Sequence, residues 1–404
     1  MAAVKPTNLA PAEWDRGGLP PWTYFSDELM DVEKEELFRK HWQLVCHLND
    51  VPEPGNYVAI DIIGERALIL RGADNRVRAF HNVCRHRGSR VVADDKGSCR
   101  SAVVCPFHGW SYNLDGTLRS PAQAHTLPDL DPVEFGLKPI ELEIWNGFVF
   151  IRFKPSRQRP VAEILGRFRD EVAPYELSTL VPADPSFWTG VSEVNWKAVR
   201  DVDNEGYHVP RAHPGLQDLY GGNYYDEPFD GGASRSFGSF SEGPGRYWSV
   251  RNYKRALPEA TWLPQSHRRA WLYIGIFPNA VFGFYPDSVK FYQEFPLSTR
   301  RTLIRSATYR RPKEDRQWRL TRYLSSRIDG MTSIEDKMLT IWSSEAALSS
   351  GFDGIILSDL EYNVRAYHDE LRSLIPVLNC EQAPNNGTLA DTNAALLSGD
   401  EAPT

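Results

Sequence analysis

Two short strings of metal-binding residue types constrain this 404-residue chain more than any other feature. The first is Cys84-x-His86, and the second, which follows after eighteen residues, is Cys105-x-x-His108. Each string supplies one thiol and one imidazole close together in the chain. For all four side chains to act together, the fold must bring two loops that are separated in sequence to the same point.

Two cysteines and two histidines are the ligands of a Rieske [2Fe–2S] centre, in which two histidines replace two cysteines on one iron. The same residues also make a closed zinc site, but zinc-finger spacing groups the cysteines together and the histidines together. Here each half-site mixes the two residue types, which favours the Rieske interpretation. Gly88, Pro106 and Gly109 suit tight loops whose amides approach a cluster sulfide. We therefore expect the four side chains to bind a [2Fe–2S] cluster that transfers single electrons.

A second group of candidate ligands lies further along the chain. On a helix, Asp201, Glu205 and His208 would share one face, because they are spaced at i, i+4 and i+7. Pro210 disfavours continued helix, so that the chain can turn and place His213 beside His208. Two histidines need one carboxylate to complete the 2-His-1-carboxylate site of non-haem Fe(II) oxygenases. The pair alone is weak evidence, but beside loops that transfer electrons it predicts an oxygenase.

Composition narrows the class of protein and its partners. A hydrophobic content of 41% supports a substantial core, and the length suggests two or three domains. A net charge of −7 gives no reason to expect nucleic acid or an anionic membrane as partner. We expect a cytoplasmic protein, since neither a signal peptide nor an apolar run of about 18 residues is evident. The odd number of cysteines, 5, does not suggest a disulfide framework.

Over about residues 20–375 the chain resembles the oxygenase (alpha) subunits of the Rieske non-haem iron oxygenases. The resemblance implies a Rieske β domain joined to a helix-grip catalytic domain, in which a twisted antiparallel sheet surrounds a long helix. The predicted fold class is therefore α+β. The motifs that carry the resemblance are Cys84-x-His86, Cys105-x-x-His108-Gly-Trp110, Asn195-Trp-Lys, Glu205-Gly-Tyr-His208, His213-Pro, Phe277-Pro-Asn279 and Glu335-Asp336.

The resemblance also implies that the third iron ligand, after His208 and His213, is an aspartate in the C-terminal region. Asp336 is our first choice, because of its position in the helix expected after residues 319–328. The alternatives are Asp329, Glu335 and Asp353, and any of these acids can instead be a solvated charge on a helix.

Glu205 stands where many family members, notably ring dioxygenases, have aspartate. Glutamate there resembles the carnitine, betaine and choline monooxygenases. In the family, this carboxylate bridges an iron histidine of one subunit and a Rieske histidine of its neighbour in a head-to-tail trimer. By position these are His208 and His108 of the partner subunit. The alternative role is an ordinary helix ion pair. The resemblance thus implies a homotrimer, with a hexamer left open.

We expect four segments along the chain. Residues 1–42 should form an arm and a helix that pack on the catalytic domain, and residues 43–155 the Rieske domain. Residues 156–380 should form the catalytic domain. Residues 231–246, which are rich in glycine and serine, predict a mobile loop inside it. The stretch 381–404 lacks Lys, Arg and aromatic residues, so it is expected to be a disordered tail.

The resemblance implies the terminal component of a multicomponent oxygenase. Electrons from NAD(P)H would come from a separate reductase, directly or through a ferredoxin, because no nucleotide-binding glycine motif is evident. With O₂, the iron site would monooxygenate a small organic substrate, with Asp201 and Glu205 as catalytic carboxylates. The alternatives are aromatic-ring dioxygenation and, from another class, a Rieske electron carrier without oxygenase activity.

Glu205 and a set of aromatic residues favour one substrate class, a betaine-like quaternary ammonium compound that undergoes oxidative N-demethylation. The faces of tryptophan and tyrosine can hold a quaternary ammonium group by cation–π contact. The aromatic residues that we expect to line the pocket are Trp271, Tyr273, Phe282, Phe284, Tyr285 and Phe291.

Overall fold

The computed structural model describes residues 10–399, which divide into two compact units. Residues 38–163 and 177–182 form one, called here the small unit, and the rest of the described chain forms the other, the large unit. Within residues 10–399, no helix combines the length and the apolar character needed to cross a bilayer.

The small unit is built from antiparallel strands. Seven of them form one sheet in the order β1-β10-β9-β4-β3-β2-β5, and three short ones form a second sheet, β6-β7-β8. The strands are β1 (Gln43–His47), β2 (Asn56–Ile62), β3 (Glu65–Arg71), β4 (Val77–His81), β5 (Lys96–Ser98), β6 (Val103–Val104), β7 (Ser111–Tyr112), β8 (Leu118–Ser120), β9 (Pro139–Trp145) and β10 (Phe148–Arg152).

Each candidate cluster loop joins two strands of one sheet, the first in the seven-stranded sheet and the second in the three-stranded sheet. One runs from β4 to β5 and the other from β6 to β7. Leu68 and Leu70 on β3 and Phe80 on β4 belong to the same buried cluster as Cys84 and Cys105. Both cysteines therefore pack against apolar side chains of the seven-stranded sheet.

The remaining elements of the described chain are helices and a third sheet. Its strands are β11 (Val181–Ser192), β12 (Tyr224–Asp230), β13 (Ala233–Ser239), β14 (Ala270–Ile276), β15 (Ala280–Phe284), β16 (Val289–Ser298) and β17 (Arg301–Arg310). The α-helices are α1 (Asp27–Glu33), α2 (Val161–Ile164), α3 (Arg169–Val172), α4 (Trp196–Asp203), α5 (Val209–Ala212), α6 (Pro214–Tyr220), α7 (Trp248–Ala256), α8 (Arg316–Ala346), α9 (Tyr362–Leu374) and α10 (Leu389–Ser398). A π-helical turn spans Lys34–Phe38, and 3₁₀ turns span Pro21–Tyr24, Leu48–Asp50, Ala124–Thr126, Gly166–Phe168, Ala173–Tyr175, Leu177–Thr179, Asp359–Glu361 and Pro376–Asn379.

The third sheet and the 31-residue helix α8 form the frame of the large unit. The sheet is antiparallel, in the order β11-β17-β16-β15-β14-β13-β12. Asp315 begins α8 by accepting hydrogen bonds from the amides of Gln317 and Trp318, which otherwise lack partners in the first turn. Leu324 and Ile328 of α8 pack in one buried cluster with Trp271 of β14. The helix therefore lies on the face of the sheet that carries Trp271.

The predicted mobile loop at residues 231–246 is wrong for residues 233–239, which are 7 of its 16 residues. Residues 233–239 form β13, which pairs with both β12 and β14, with Ala233 opposite Ile276 and Ser239 opposite Ala270. The small side chains that suggested a loop serve packing instead. A Cβ atom on Gly238 would come within 2.5 Å of the Tyr220 ring, so glycine allows this strand and α6 to approach closely.

The predicted disordered tail is also wrong where the structure describes it. Residues 389–398 form α10, in which Leu389, Thr392 and Asn393 are buried. The Asn393 side chain accepts a hydrogen bond from the Val377 amide, and Glu28 of α1 accepts one from the Gly387 amide (2.8 Å). Composition suggested disorder, but contacts with distant parts of the chain order this segment. Residues 400–404 lie outside the described range, as do residues 1–9 of the predicted arm.

Candidate metal centres

The two loops of the small unit have the same backbone design. In each, the cysteine amide donates to the carbonyl five residues on, and a glycine amide donates back to the cysteine carbonyl. The bonds are Cys84 N to Ser89 O (2.7 Å), Gly88 N to Cys84 O (3.0 Å), Cys105 N to Trp110 O (2.8 Å) and Gly109 N to Cys105 O (3.0 Å). Gly88 and Gly109 have φ of +74° and +71°, which glycine adopts without strain. The loops are thus a matched pair.

The four candidate ligands are divided between the interior and the surface. Cys84 and Cys105 are buried, whereas His86 and His108 are exposed, with their ring centroids 4.7 Å apart. Trp110 stacks on His86 with an interplanar angle of 3°. Buried thiols below two exposed imidazoles suit a cluster with a thiolate-bound iron inside and an imidazole-bound iron at the surface.

Tyr112 is a candidate functional residue that the sequence analysis missed. Its hydroxyl accepts a hydrogen bond from the Arg85 amide (2.9 Å) and lies 3.2 Å from Cys84 Sγ. Burial raises the pKa of the Cys84 thiol, and the Tyr112 hydroxyl opposes that rise. Its position two residues after Trp110 in the loop motif was the available sequence clue. A hydroxyl that donates to a ligand sulfur is a recognised means of tuning a cluster's potential.

We expect Tyr112→Phe to keep the cluster but to lower its reduction potential by about 50 mV. About 59 mV in a one-electron couple corresponds to 1.4 kcal/mol, the scale of one hydrogen bond. Spectroelectrochemical titration of the visible spectrum measures the change. Tyr57→Phe, in the same buried cluster, is the matched control and should leave the potential unchanged. An unchanged potential in Tyr112→Phe would show that the hydroxyl does not reach the sulfur.

In the large unit, three ligand atoms converge on one point. His208 Nε2 lies 3.0 Å from His213 Nε2, and Asp336 Oδ1 lies 2.8 Å from His213 Nε2 and 3.6 Å from His208 Nε2. An octahedral metal with bonds of about 2.1 Å places neighbouring ligand atoms about 3.0 Å apart. Asp336 Oδ1 is buried and accepts no hydrogen bond of adequate geometry. The three residues therefore fit a single metal ion bound on one face.

The chain brings the two histidines together differently from the predicted single helix. Helix α4 ends at Asp203, and Glu205 and His208 lie on the segment between α4 and α5. Pro210 lies in the first turn of α5 rather than ending a longer helix, and His213 precedes α6. The predicted shared helix face is therefore wrong, although the two histidines do meet.

Asp201, predicted as a catalytic carboxylate, lies away from this group. It is on α4, where one carboxylate oxygen accepts a hydrogen bond from the Tyr24 hydroxyl and the other lies 2.8 Å from His368 Nε2. Both oxygens are thus used in joining α4 to α9 and to the N-terminal segment. Asp201 was selected because it should share a face with Glu205, and the end of α4 removes that reason.

Glu205 and Glu335 each hold one histidine of the triad. Glu205 Oε1 contacts His208 Nδ1, while Glu205 Oε2 accepts from the His208 amide (3.1 Å). Glu335 Oε2 lies 2.9 Å from His213 Nδ1. A carboxylate on Nδ1 fixes the ring and its tautomer, so that Nε2 is free to bind metal. Glu335, one of the alternative third ligands that the sequence allowed, is therefore better placed to orient His213.

The other alternative ligands lie elsewhere. Asp329 accepts from the Tyr285 hydroxyl (3.0 Å) and forms an ion pair with Lys290. Asp353 is exposed on the segment after α8. Among the candidates, only Asp336 has a carboxylate oxygen grouped with both histidines in the described chain.

The contacts within the triad control its protonation. Burial would lower the pKa of His208, but contacts with the carboxylates of Asp336 and Glu205 outweigh burial and raise that pKa to about 10. The pKa of His213 is raised in the same way by Asp336 and Glu335. The pKa of Asp336 is lowered, because the two histidines outweigh its burial. A metal ion must displace the imidazole protons, so metal binding should release protons and strengthen as pH rises.

The aromatic residues that were expected to line the pocket lie on two opposite faces of the third sheet. Tyr273 is paired with Gly283, whereas Phe282 is paired with Phe291 and Phe284 with Leu272. Because neighbours along a strand alternate between faces, the three phenylalanines lie on the face opposite Tyr273. The prediction is therefore wrong for Phe282, Phe284 and Phe291. The set on the face toward α8 is Trp271, Tyr273 and Tyr285.

A two-cysteine, two-histidine loop pair and a 2-His-1-carboxylate group in one chain are the combination of an oxygenase with its own electron-transfer cluster. Comparison with protein families gives the same result. Residues 41–133 match the Rieske [2Fe-2S] domain, and residues 178–376 match the ring hydroxylating alpha subunit (catalytic domain). The chain belongs to the Rieske oxygenase alpha subunits, which confirms the predicted family, fold class and two cofactors, a Rieske [2Fe–2S] cluster and a mononuclear iron.

Two curated relatives are monooxygenase subunits. The glycine betaine monooxygenase oxygenase subunit of Pseudomonas aeruginosa is 35% identical over 199 residues, which cover 49% of this chain and 45% of that protein. The carnitine monooxygenase oxygenase subunit of Escherichia coli is 33% identical over 217 residues, 53% of this chain and 57% of that protein. The chain thus spans about half the length of the curated relatives it matches.

Solved structures share the fold. The quaternary ammonium Rieske monooxygenase CntA in complex with L-carnitine superposes with a TM-score of 0.73. The match covers 89% of this chain and 95% of that chain at 23% sequence identity. At this identity the likeness establishes a common architecture, a Rieske domain followed by a catalytic domain.

Proposed function

We propose that this chain is the terminal oxygenase component of a multicomponent system that monooxygenates a small quaternary ammonium compound. The observation that carries the proposal is the convergence of His208, His213 and Asp336, with both histidines held through Nδ1. These three residues would hold the mononuclear iron. Bound there by one face, the iron would supply open positions at which O₂ is activated.

Cys84, Cys105, His86 and His108 would hold the [2Fe–2S] cluster. Their burial pattern supports this assignment, since the histidines are at the surface where an electron donor or acceptor can approach. The electrons would originate from NAD(P)H and arrive from a separate reductase, directly or through a ferredoxin.

The substrate class is inferred from the relatives and from Glu205. The relatives are named for glycine betaine, carnitine and, in Spinacia oleracea, choline, all of which carry an N-methylated ammonium group. Hydroxylation of an N-methyl group consumes one O₂, two electrons and two protons and gives a carbinolamine and water. The carbinolamine then releases formaldehyde and leaves the demethylated amine.

We test this function by supplying candidate methylated ammonium compounds with O₂, NADH or NADPH and a reductase. N-demethylation predicts formaldehyde in equal amount to the O₂ consumed. Ring dioxygenation, supported by the name of the matching catalytic domain, predicts O₂ uptake with aromatic acids and a diol product without formaldehyde. An electron carrier without oxygenase activity would show cluster reduction and no substrate-dependent O₂ uptake.

The assembly that we propose is a head-to-tail homotrimer, in which Glu205 bridges His208 and His108 of the partner subunit. Glu205 already contacts His208 Nδ1, and a carboxylate can accept from two imidazole N–H groups at once. The exposed tip around His108 includes Phe107, which is 54% exposed and suited to burial in an interface. One solved relative is described as revealing inter-subunit electron transfer.

Glu205→Gln should retain both metals and the trimer but slow electron transfer from the cluster by about 10-fold or more, the scale of outer-shell changes at metal sites. Glutamine accepts from two imidazoles less well than a charged carboxylate does. Single-turnover reoxidation of the reduced cluster, with substrate and O₂ present, measures this step.

Glu361→Gln is the control for this variant. Glu361 lies within electrostatic range of Glu205 and His208, but its carboxylate accepts from the Ser358 amide. It should therefore leave reoxidation nearly unchanged. Reoxidation in Glu205→Gln at the wild-type rate would show that Glu205 only orients His208, and a fully active monomer would exclude the trimeric path.

A further inference from the structure

Five redox-active aromatic side chains form a continuous chain of contacts in the large unit. They join helix α6, strands β14 and β15 with the turn that follows, and helix α7. The contacts are Tyr220 OH to Tyr273 OH (3.2 Å), Tyr273 OH to Tyr285 OH (3.0 Å), the Tyr285 ring stacked on the Trp271 ring (centroids 4.0 Å apart, interplanar angle 2°) and Trp271 Nε1 donating to Tyr253 OH (3.1 Å).

One end of this chain lies near the candidate iron site. Tyr220 is on α6, seven residues after His213, and Asp329, which accepts from Tyr285, is on α8, seven residues before Asp336. Seven residues are two helical turns, a rise of about 10 Å. Tyr220 and Asp329 therefore lie about two helical turns from the candidate iron ligands His213 and Asp336, respectively.

Two of the phenols have a carboxylate placed to take their proton. The Tyr285 hydroxyl donates to Asp329 Oδ1 (3.0 Å), and the Tyr253 hydroxyl donates to Asp287 Oδ1 (2.7 Å). Burial raises the pKa of both phenols well above the ordinary value, so each is neutral at physiological pH. A neutral phenol that loses an electron must also lose its proton, and each carboxylate can accept that proton without large movement.

Tyr253, at the other end of the chain, is buried, but the helix that carries it also carries an exposed tryptophan. Tyr253 lies five residues after Trp248 on α7, which corresponds to a rise of about 7.5 Å. The Trp248 side chain is 55% exposed, with the Arg327 guanidinium 5.7 Å from its ring centroid. A soluble one-electron reductant can thus reach an aromatic side chain on the same helix as Tyr253, about one and a half turns away from it.

We propose that these aromatic residues carry oxidising equivalents from the neighbourhood of the iron site to the protein surface when no substrate consumes them. Tyr285 loses one electron toward the oxidised iron site and its proton to Asp329. Trp271 then gives an electron to Tyr285, which takes its proton back from Asp329. Tyr253 gives an electron to Trp271 while its proton passes to Asp287. A soluble reductant such as ascorbate finally supplies one electron to Tyr253 through Trp248, and Asp287 returns the proton to Tyr253. The inference rests on the proposed iron site.

The test uses the full-length, iron-loaded protein without substrate, treated with hydrogen peroxide. The cluster is kept oxidised, because it then contributes no EPR signal. We expect an organic-radical EPR signal that changes shape when deuterated tyrosine or tryptophan is incorporated. We also expect a spin trap to form an adduct at Trp248, which peptide mass spectrometry identifies.

Trp271→Phe should remove the tryptophan part of the signal and reduce the Trp248 adduct several-fold, because the stacked intermediate is lost. Tyr253→Phe keeps the ring but removes the hydroxyl that passes a proton to Asp287, and should give the same loss of adduct if Trp271→Phe does not fold. The matched control is Tyr367→Phe. Tyr367 is buried in the same unit and donates to the Pro278 carbonyl, outside the chain of contacts, so its replacement should change neither readout.

The outcomes separate this inference from the proposed function. Iron content and substrate-dependent O₂ uptake are measured on the same samples. Protein that holds no iron would overturn the proposed function. Iron-loaded protein that gives no aromatic radical, or an unchanged Trp248 adduct in Trp271→Phe, would overturn the relay alone. An equal adduct in iron-free Asp336→Ala would also overturn it, since peroxide would then reach Trp248 from solution.

Discussion

Replacing Asp336 by alanine should remove the mononuclear iron and reduce turnover by more than about 100-fold, since even outer partners of metal ligands are worth about 10- to 100-fold. The remaining two imidazoles offer only two of the three atoms that converge in the wild-type site. The visible spectrum of the cluster should survive, because its candidate ligands are in the small unit. Iron analysis, O₂ uptake and the visible spectrum of the same sample test all three expectations.

Two variants control for the loss of a carboxylate. Asp353→Ala removes an exposed acid from the alternative set and should retain iron and activity. Glu335→Gln should retain iron with weaker affinity, because Glu335 orients His213 through Nδ1 and does not meet the metal. If Asp336→Ala keeps its iron while Glu335→Gln loses it, the assignment of the third ligand must be exchanged between these neighbours.

Cys84→Ser should abolish the red-brown colour and the reduced-state EPR signal of a bis-histidine [2Fe–2S] cluster. Cys84 is buried beneath the loop pair, and a serine hydroxyl does not replace a thiolate as a ligand to the inner iron. His108→Ala should also abolish the colour and the EPR signal, because it removes one of the two exposed imidazole ligands. The mononuclear iron should remain bound in both variants, which would show that the cluster can be lost without loss of the mononuclear iron.

Cys99→Ser is the matched control, because Cys99 packs against the same buried cluster without lying in either loop. It should keep the full spectrum. A colourless wild-type protein that contains zinc would contradict the cluster assignment, since the same four residue types can also bind zinc.

The candidate metal ligands were largely evident from the sequence, because metal sites need particular atoms at short spacing. Cys84 and His86 are two residues apart, and a single loop places both side chains. His208 and His213 are five residues apart, so one turn of the chain suffices to join them. Short spacing of this kind limits how far apart the backbone can place the two side chains. It predicted the ligand types before any long-range contact was known.

The partners that orient these residues were less evident. Glu335 holds His213 from 122 residues away, and Tyr112 reaches Cys84 from 28 residues away. The predicted contact between Glu205 and His208 is present, but the two residues do not share a helix, because α4 ends at Asp203. Hydrogen-bond partners across such separations depend on how helices and loops pack, which spacing along the chain does not specify.

The sequence by itself determined the ligand types, because these depend on short spacing, and the resemblance of its motifs to a known family implied the family and the α+β class. Only the tertiary structure decided which acid joins the two histidines, since Glu335 and Asp336 are adjacent and the orientation of α8 separates their roles. It also assigned Asp201 to the contact with His368, ordered α10 and divided the aromatic residues between two faces of one sheet. Each of these outcomes follows from packing between distant segments, where buried polar groups must find partners and apolar faces must be covered.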